Sequence, residues 1–170
     1  NVAADAFVNS AMTGANGGLM VVAADDPSMH SSQNEQDSRF YGKFALVPVF
    51  EPSCQQETYE MTGYGFDLSE RFRIPVLMRL TTRMAHSRAV VETRDAKTQN
   101  EKSYPAEARQ WVLMPGNSRA RYKVLIEDYR KLEEEAASSR FNRLSDGPDK
   151  STGIIACGIA YNYLMENSPD

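Results

Sequence analysis

A polar run, Ala23-Ala24-Asp25-Asp26-Pro27-Ser28-Met29-His30-Ser31-Ser32-Gln33-Asn34-Glu35-Gln36-Asp37, follows directly on the apolar Leu19-Met20-Val21-Val22. It gathers carboxylates, an imidazole, hydroxyls and carboxamides, with no lysine among them. An imidazole or a carboxylate can move protons, and hydroxyls and amides can orient a polar ligand. In open α/β sheets, ligands bind beyond the carboxyl ends of the strands. A polar run at the end of a buried strand is therefore placed to line a site. Two readings fit it. On the first, its aspartates, Glu35 and His30 line a pocket at the sheet edge and handle protons or orient a polar ligand. On the second, Asp-Asp-Pro is a turn and the rest is a solvated loop. The variety of hydrogen-bonding types tilts the balance towards a site. Asp25, Asp26, His30, Glu35 and Asp37 are competent metal ligands, but their spacing matches no recognised ligand set, and no metal is expected on this chain.

A second candidate is Thr81-Thr82-Arg83-Met84-Ala85-His86-Ser87-Arg88, after the apolar Ile74 to Leu80. Two strand ends carrying polar segments can face one crevice. Arg83 and Arg88 can hold a carboxylate, because a guanidinium fork matches its geometry. The plainer reading is a basic turn leading into a strand, Ala89 to Glu92, with His86 capping an element end. Other chemistries lack their signatures. There is no Gly-x-Ser-x-Gly elbow, and the Gly14 to Gly18 turn matches neither a dinucleotide fingerprint nor a P-loop. Cys54 and Cys157 cannot hold an iron–sulfur cluster by themselves, since clusters take four thiolates. They are expected to be buried and reduced.

The elements that must position these residues read as α/β: a mainly parallel sheet with helices on both faces. Val2 to Met12 has helical spacing and stops at a glycine-rich break. The strand Leu19 to Ala24 leads into the polar run, and Gln33 to Phe44 is a candidate short helix. Val47 to Glu51 reads as a strand. Ser53 with Gln56 fits a capping box for a helix with the stripe Met61, Tyr64, Leu68 and Phe72. The next strand is Ile74 to Leu80, and strand–helix–strand implies a parallel crossover. Residues 92–109 read as a polar connection. A long helix capped by Asn117 or Ser118 presents Tyr122, Leu125, Ile126, Tyr129, Leu132 and Ala136. A polar linker, a strand Thr152 to Cys157 and a helix Ile159 to Glu166 close the chain. The expected organisation is one α/β domain over 1–95, a helical linker over 96–150, and the start of a second α/β domain over 151–170. The missing initiator Met and the opening inside a helix suggest a piece of a longer polypeptide.

Composition narrows the function. The 170 residues are 41% hydrophobic and 25% charged, as in ordinary globular chains. A net charge of -4 argues against a general nucleic-acid binder. No apolar run approaches the roughly 18 residues of a membrane span, and no secretory signal opens the chain. A cytoplasmic location without membrane or nucleic-acid partners is expected.

Several runs together resemble one enzyme family. Gly17-Gly18-Leu19 through Ala24-Asp25-Asp26-Pro27-Ser28-Met29-His30-Ser31-Ser32-Gln33-Asn34-Glu35-Gln36-Asp37-Ser38-Arg39 is similar to the alpha subunit of indolepyruvate:ferredoxin oxidoreductases. So are Ile74-Pro75-Val76-Leu77, Thr82-Arg83-Met84-Ala85-His86-Ser87-Arg88, the opening Asn1-Val2-Ala3-Ala4-Asp5-Ala6-Phe7 and the late Gly153 to Leu164. The likeness covers nearly the whole chain, and His-Ser-Ser-Gln-Asn-Glu-Gln-Asp is its most specific string. Other 2-oxoacid:ferredoxin oxidoreductases share the pattern more loosely.

The resemblance implies an enzyme that uses thiamine diphosphate with magnesium to decarboxylate aryl pyruvates such as indolepyruvate. Its electrons pass through 4Fe-4S clusters to ferredoxin, and coenzyme A takes the acyl group. It implies a beta subunit as partner. By the same resemblance this chain is the later part of a pyrimidine-binding domain and the start of the next domain. The family's activating glutamate would lie before Asn1, and its metal–diphosphate motif and cluster cysteines after Asp170. Glu35 is not that activating glutamate. The chain alone is expected to be inactive. His30, Ser31, Gln33 and Asn34 would lie nearest the reacting centre, Asp25 and Asp26 would shape the turn, and Arg39 would pair with Glu35 or Asp37. Arg83 and His86 are secondary candidates. Two alternatives stand beside this reading: a sister oxidoreductase for pyruvate or branched 2-oxo acids, and a non-catalytic interaction domain of the same fold.

Overall fold

The computed structural model describes residues 2–167. Asn1, where the family likeness opens, and residues 168–170, at the end of the third expected segment, lie outside the described residues. Three parallel strands form the sheet: β1 (Met20–Asp25), β2 (Val49–Phe50) and β3 (Val76–Thr81), in the order β1-β3-β2. β3 is central. It pairs Met20 with Val76 and Asp25 with Thr81 on one side, and Val49 with Leu77 on the other. Side chains alternate along a strand, so Met20, Phe50 and Met78 share one face, while Asp25, Val49, Leu77 and Arg79 share the other.

Each face is covered by helices, as the apolar pattern predicts. The helix α1 (Val2–Thr13) packs on α2 (Arg39–Ala45), and α2 lies on the Leu77 face. A Cβ on Gly42 would come within 2.0 Å of Val49 Cγ2 and 3.5 Å of Leu77 Cδ2. The helix α3 (Gln55–Phe72) lies on the opposite face, where a Cβ on Gly65 would meet Met20 Cε at 2.2 Å and Phe50 at 3.0 Å. The core joins Phe7 and Ala11 of α1, Leu68 of α3, Val76 and Leu77 of β3, and Leu125 and Leu132 of a long helix described below. Ser69 is fully buried; its hydroxyl donates to the Ile74 carbonyl at 2.6 Å and accepts the Leu19 amide at 2.9 Å. That one group ties the end of α3 to the entries of β1 and β3. The crossover from β2 through α3 to the parallel β3 is the one predicted.

Beyond β3 come α4 (Thr82–His86), a 3-10 turn (Ala108–Trp111), α5 (Pro115–Ser138) and α6 (Ile159–Asn167). Here several expectations change. Residues 89–92 form no strand, because no strand neighbours them; they begin an extended strap laid along α3. Gln56 bonds both ways with the Glu92 backbone, accepting its N–H at 2.9 Å and donating to its carbonyl at 3.3 Å. The Tyr59 hydroxyl accepts the Arg94 amide at 2.9 Å. Lys97 pairs with Asp67, and Lys102 with Glu70 at 3.3 Å. Residues 152–157 are likewise not a strand and are largely exposed, although the helix after them forms as expected. Cys157 is exposed and Cys54 only half-buried, both free, so the expected burial of the thiols does not hold.

Helix starts shift for local reasons. α3 begins after Cys54 rather than Ser53, and the carboxylate that answers Ser53 is Glu57, not Gln56: it accepts the Ser53 amide at 2.8 Å and its hydroxyl at 2.7 Å. α5 starts at Pro115, whose fixed φ and missing N–H suit a first helical position. Asn117 is no cap; it donates to the Val112 carbonyl at 2.9 Å. On α5 only Leu125 and Leu132 are buried, while Tyr122, Ile126 and Ala136 are exposed. The short helix expected over 33–44 is confined to Arg39–Ala45, because the residues before it are committed to the loop described next.

Candidate functional site

The carboxyl ends of the three strands converge on one edge, and the aspartate pair at the end of β1 divides its work there. Asp25 and Asp26 are both buried, at 5% and 7% exposure. On the α2 face, Asp25 accepts the Ser38 amide at 2.7 Å and also the Ser38 hydroxyl, where α2 begins. Arg79, 7% exposed in the central strand, donates its Nε to Asp25 and its Nη1 to Glu51, just after β2. The same Nε lies 3.8 Å from Asp37. Burial opposes the guanidinium charge, but the hydrogen bonds to Asp25 and Glu51 outweigh it and push the Arg79 pKa up. One cation thus joins the ends of all three strands.

Asp26 organises the loop itself. Its Oδ2 accepts the Ser31 amide at 2.7 Å and the Ser32 amide at 2.9 Å, and its Oδ1 accepts the Thr82 hydroxyl at 2.7 Å. The Ser31 amide and the Thr82 hydroxyl, against some desolvation, hold its carboxyl well below the usual range. The Asp26 amide donates to Gln36 Oε1 at 3.0 Å, closing the loop from its far end. Asp26 to Met29 make a turn, with the Met29 amide on the Asp26 carbonyl at 3.2 Å. Ser28 and Met29 both adopt left-handed backbone, φ 66° and 53°, which non-glycine residues seldom take and which clusters at functional sites. Glu35 holds that turn by accepting the Ser28 amide at 2.8 Å. Asp37 chelates Arg39 through two bonds of 2.7 and 2.6 Å. Those bonds lower the Asp37 pKa and raise that of Arg39.

The predicted residues therefore separate into two groups. Asp25 is spent at the foot of the loop as the acceptor of Ser38 and Arg79, Asp26 and Glu35 are spent inside it as acceptors, and Arg39 pairs with Asp37 rather than Glu35. Ser31 and Ser32 give their amides to Asp26. The side chains of His30, Gln33 and Asn34 stand exposed on the rim, with Ser31 exposed beside them. Of the second segment, Thr82 is the residue that meets the loop. Arg83 is engaged elsewhere, its guanidinium 5.2 Å from the centre of the Tyr163 ring on α6, and His86 is exposed in the last turn of α4. Among the described residues no group of three or more His, Cys, Asp or Glu side chains is placed to hold a metal ion.

Sequence reasoning missed Arg79, Glu51, Ser38 and Gln36. Arg79 alone left a signal: an arginine inside the otherwise apolar Val76 to Leu80 has to find buried carboxylates. The Thr81 hydroxyl, beside Asp25 in the register, is buried with no hydrogen-bond partner among the described residues.

What the edge presents chemically is a rim of imidazole, hydroxyl and carboxamide groups, from His30, Ser31, Gln33 and Asn34. Its negative charges are already compensated from below by Arg79 and by loop amides.

No protein-family model matches the chain, and no solved structure matches it. Curated relatives do. The chain is 44% identical over 168 residues to indolepyruvate oxidoreductase subunit IorA of Methanothermobacter marburgensis. It is 44% identical over 168 residues to the IorA subunit of Archaeoglobus fulgidus, and 42% identical over 172 residues to that of Thermococcus kodakarensis. Each match takes in 98% of this chain and 27% of the relative. The chain spans about a quarter of the length of these relatives, 27%, and over that span it belongs to the family of the IorA subunit of indolepyruvate oxidoreductases.

Proposed function

We propose that this chain forms one wall of the reaction site in an oxidoreductase that converts indolepyruvate and other aryl pyruvates to acyl-coenzyme A and passes electrons to ferredoxin. The observation that carries this reading is the propped loop at the carboxyl edge of the sheet. It holds His30, Ser31, Gln33 and Asn34 outward on a frame set by Asp25 and Asp26. The relatives are named as subunits of indolepyruvate oxidoreductase, which supplies the substrate class.

The cofactor expected in the intact enzyme is thiamine diphosphate with magnesium, together with 4Fe-4S clusters. Thiamine diphosphate supplies an electron sink that lets a 2-oxo acid lose carbon dioxide. The rim fits the organic part of that cofactor and the substrate beside it, because His30, Ser31, Gln33 and Asn34 offer it imidazole, hydroxyl and carboxamide groups, while the Glu35 carboxylate is taken by the Ser28 amide. Among the described residues it offers no group of carboxylates for magnesium, and the ligands of magnesium and the donors for the diphosphate are expected in other parts of the intact protein. On this chain, Gln33 and Asn34 orient the polar end of the substrate. His30 exchanges a proton at its imidazole, the group whose ordinary pKa is nearest neutrality. The beta subunit and coenzyme A complete the assembly, in the cytoplasm.

The test is anaerobic viologen reduction by the intact polypeptide with its partner subunit, supplied with thiamine diphosphate, magnesium and coenzyme A. Indolepyruvate and phenylpyruvate are expected to give the highest kcat/KM. Preference for pyruvate or 2-oxoisovalerate would move the protein to a sister oxidoreductase. No turnover in a preparation that holds its clusters would leave a non-catalytic domain. His30→Gln is expected to lower kcat by about 10²-fold, a common size for general acid–base catalysis, and to change the pH profile. An unchanged profile removes His30 from the mechanism.

A further inference from the structure

We propose that Arg79 is the positioning residue of the rim: it holds both ends of the loop 26–37 to the central strand, and so fixes where His30, Gln33 and Asn34 stand. The proposal rests on the functional reading above for its relevance to catalysis, but not for its geometry.

Arg79 sits on the central strand β3, opposite Ala23 of β1 and one residue beyond the Met78–Phe50 pairing with β2. Asp25, its first partner, is the residue immediately before the loop. The loop's other end returns to the same spot. Asp37 lies 3.8 Å from the Arg79 Nε, and Ser38 gives both its amide and its hydroxyl to Asp25. Glu51 holds the guanidinium from the β2 side and lies 3.9 Å from Arg39. A planar fork with donors on two sides can span Asp25 and Glu51 at once; a lysine ammonium, a point charge on a flexible stem, cannot fix both in one geometry.

Stability alone does not account for such a group. Well-packed apolar residues in place of a buried ion pair are often as stable or more so, and in some proteins the retained ions serve to specify one arrangement. The alternation of β3 places Arg79 between the core residue Leu77 and the strand end, on the face where α2 enters. The arrangement it specifies is therefore the loop's seat. Asp26 works separately, through Ser31, Ser32 and Thr82, on the loop's interior.

The experiment is amide hydrogen exchange on the intact polypeptide with its partner subunit, comparing the natural protein with Arg79→Lys and Arg79→Met, alongside kcat and KM with indolepyruvate. In Arg79→Lys, exchange over 26–38 is expected to rise about tenfold, which corresponds to about 1.4 kcal/mol of local opening. Peptides from α1 and α5 should be unchanged, and Arg79→Met should exceed Arg79→Lys. A fall in kcat with KM nearly constant is expected to accompany it. Unchanged exchange over 26–38 would overturn the proposal, and so would a rise spread evenly over the whole chain, which marks a merely structural arginine. If the arginine variants do not fold, Glu51→Gln keeps the buried cation and Asp25. It should give a smaller rise confined to 26–38, and the absence of that rise overturns the proposal equally. A loosened loop with unaltered turnover supports the positioning role and instead removes the rim from the reaction.

Discussion

Asp25 and Asp26 are adjacent in sequence and opposite in task. Asp25, at the end of a strand, points to the α2 face and meets a buried cation. Asp26 turns to the loop and meets amides and a hydroxyl. That a turn follows was legible from Asp-Asp-Pro after an apolar run, and Asp26 does bond backbone a few positions on, at Ser31 and Ser32. Which partner each takes was not legible, because strand register brings Arg79 and Glu51 to Asp25 from positions far away in the chain. The depressed pKa of Asp26 has a consequence. A carboxylate lowered in the fold contributes stability that is present above its unfolded value and lost as pH falls through the folded one. For Asp26 the ordinary value is 3.8, so its support of the loop should wane below that and vanish only at markedly more acidic pH. Carboxyl-carbon NMR of the polypeptide is expected to show no inflection for Asp26 near 3.8; a midpoint there would mean that the Ser31 and Thr82 bonds do not form in solution.

Among elements, those with their own signature were read correctly and those needing a neighbour were not. α3 carries buried Met61 and Leu68 on one stripe, and its apolar spacing sufficed to place it. β3 is an almost continuously buried run, whereas β1, expected to be buried, alternates covered residues with the exposed Val22 and Ala24; both lie between turn residues. Residues 89–92 and 152–157 have strand-like composition, yet a strand exists only where another strand accepts its hydrogen bonds, and none adjoins them. Close packing of helix on sheet was equally hidden, because it depends on two glycines, Gly42 and Gly65, whose neighbours come from other elements. Gly42 of α2 lies against Val49, where an added Cβ would fall 2.0 Å from a stiff β-branched side chain. Gly63 of α3 has nothing within 4 Å. Gly42→Ala should therefore cost about 1–3 kcal/mol through overpacking. Gly63→Ala should add about 0.5–1 kcal/mol by removing a helix-interior glycine. Urea unfolding of the two variants checks this: equal shifts, or a stabilised Gly42→Ala, would mean that α2 does not sit against β2 as described.

Across the whole molecule, the polar stretch after α4 read as a connection, but it is a strap that carries the chain along α3 towards α5. Its first half is held mainly by uncharged bonds, Gln56 to the Glu92 backbone and Tyr59 to the Arg94 amide, with a single long ion pair of 3.8 Å from Arg94 to Glu60. Its second half is held by charge, Lys97 on Asp67 and Lys102 on Glu70, all with side chains partly open to solvent. Asn100 adds a bond to Glu70 at 2.6 Å, and Asn16 clasps the Ser103 carbonyl at 2.7 Å. Exposed ion pairs weaken as salt screens them, with a screening length of about 10 Å at 0.1 M and about 3 Å at 1 M. Neutral hydrogen bonds lack that dependence. The two halves of the strap should therefore part company as salt is raised from about 0.1 M to about 1 M. Amide exchange over 97–102 is expected to quicken while the Glu92 and Arg94 amides and the strands stay protected. The sequence could show the charges on the strap and on α3 but not their pairing, which depends on the strap running along the helix in one direction and one register. Equal loosening of both halves would mean that the strap leaves as a unit, and no loosening would mean that Asn16 and Asn100, not the lysines, hold its far end.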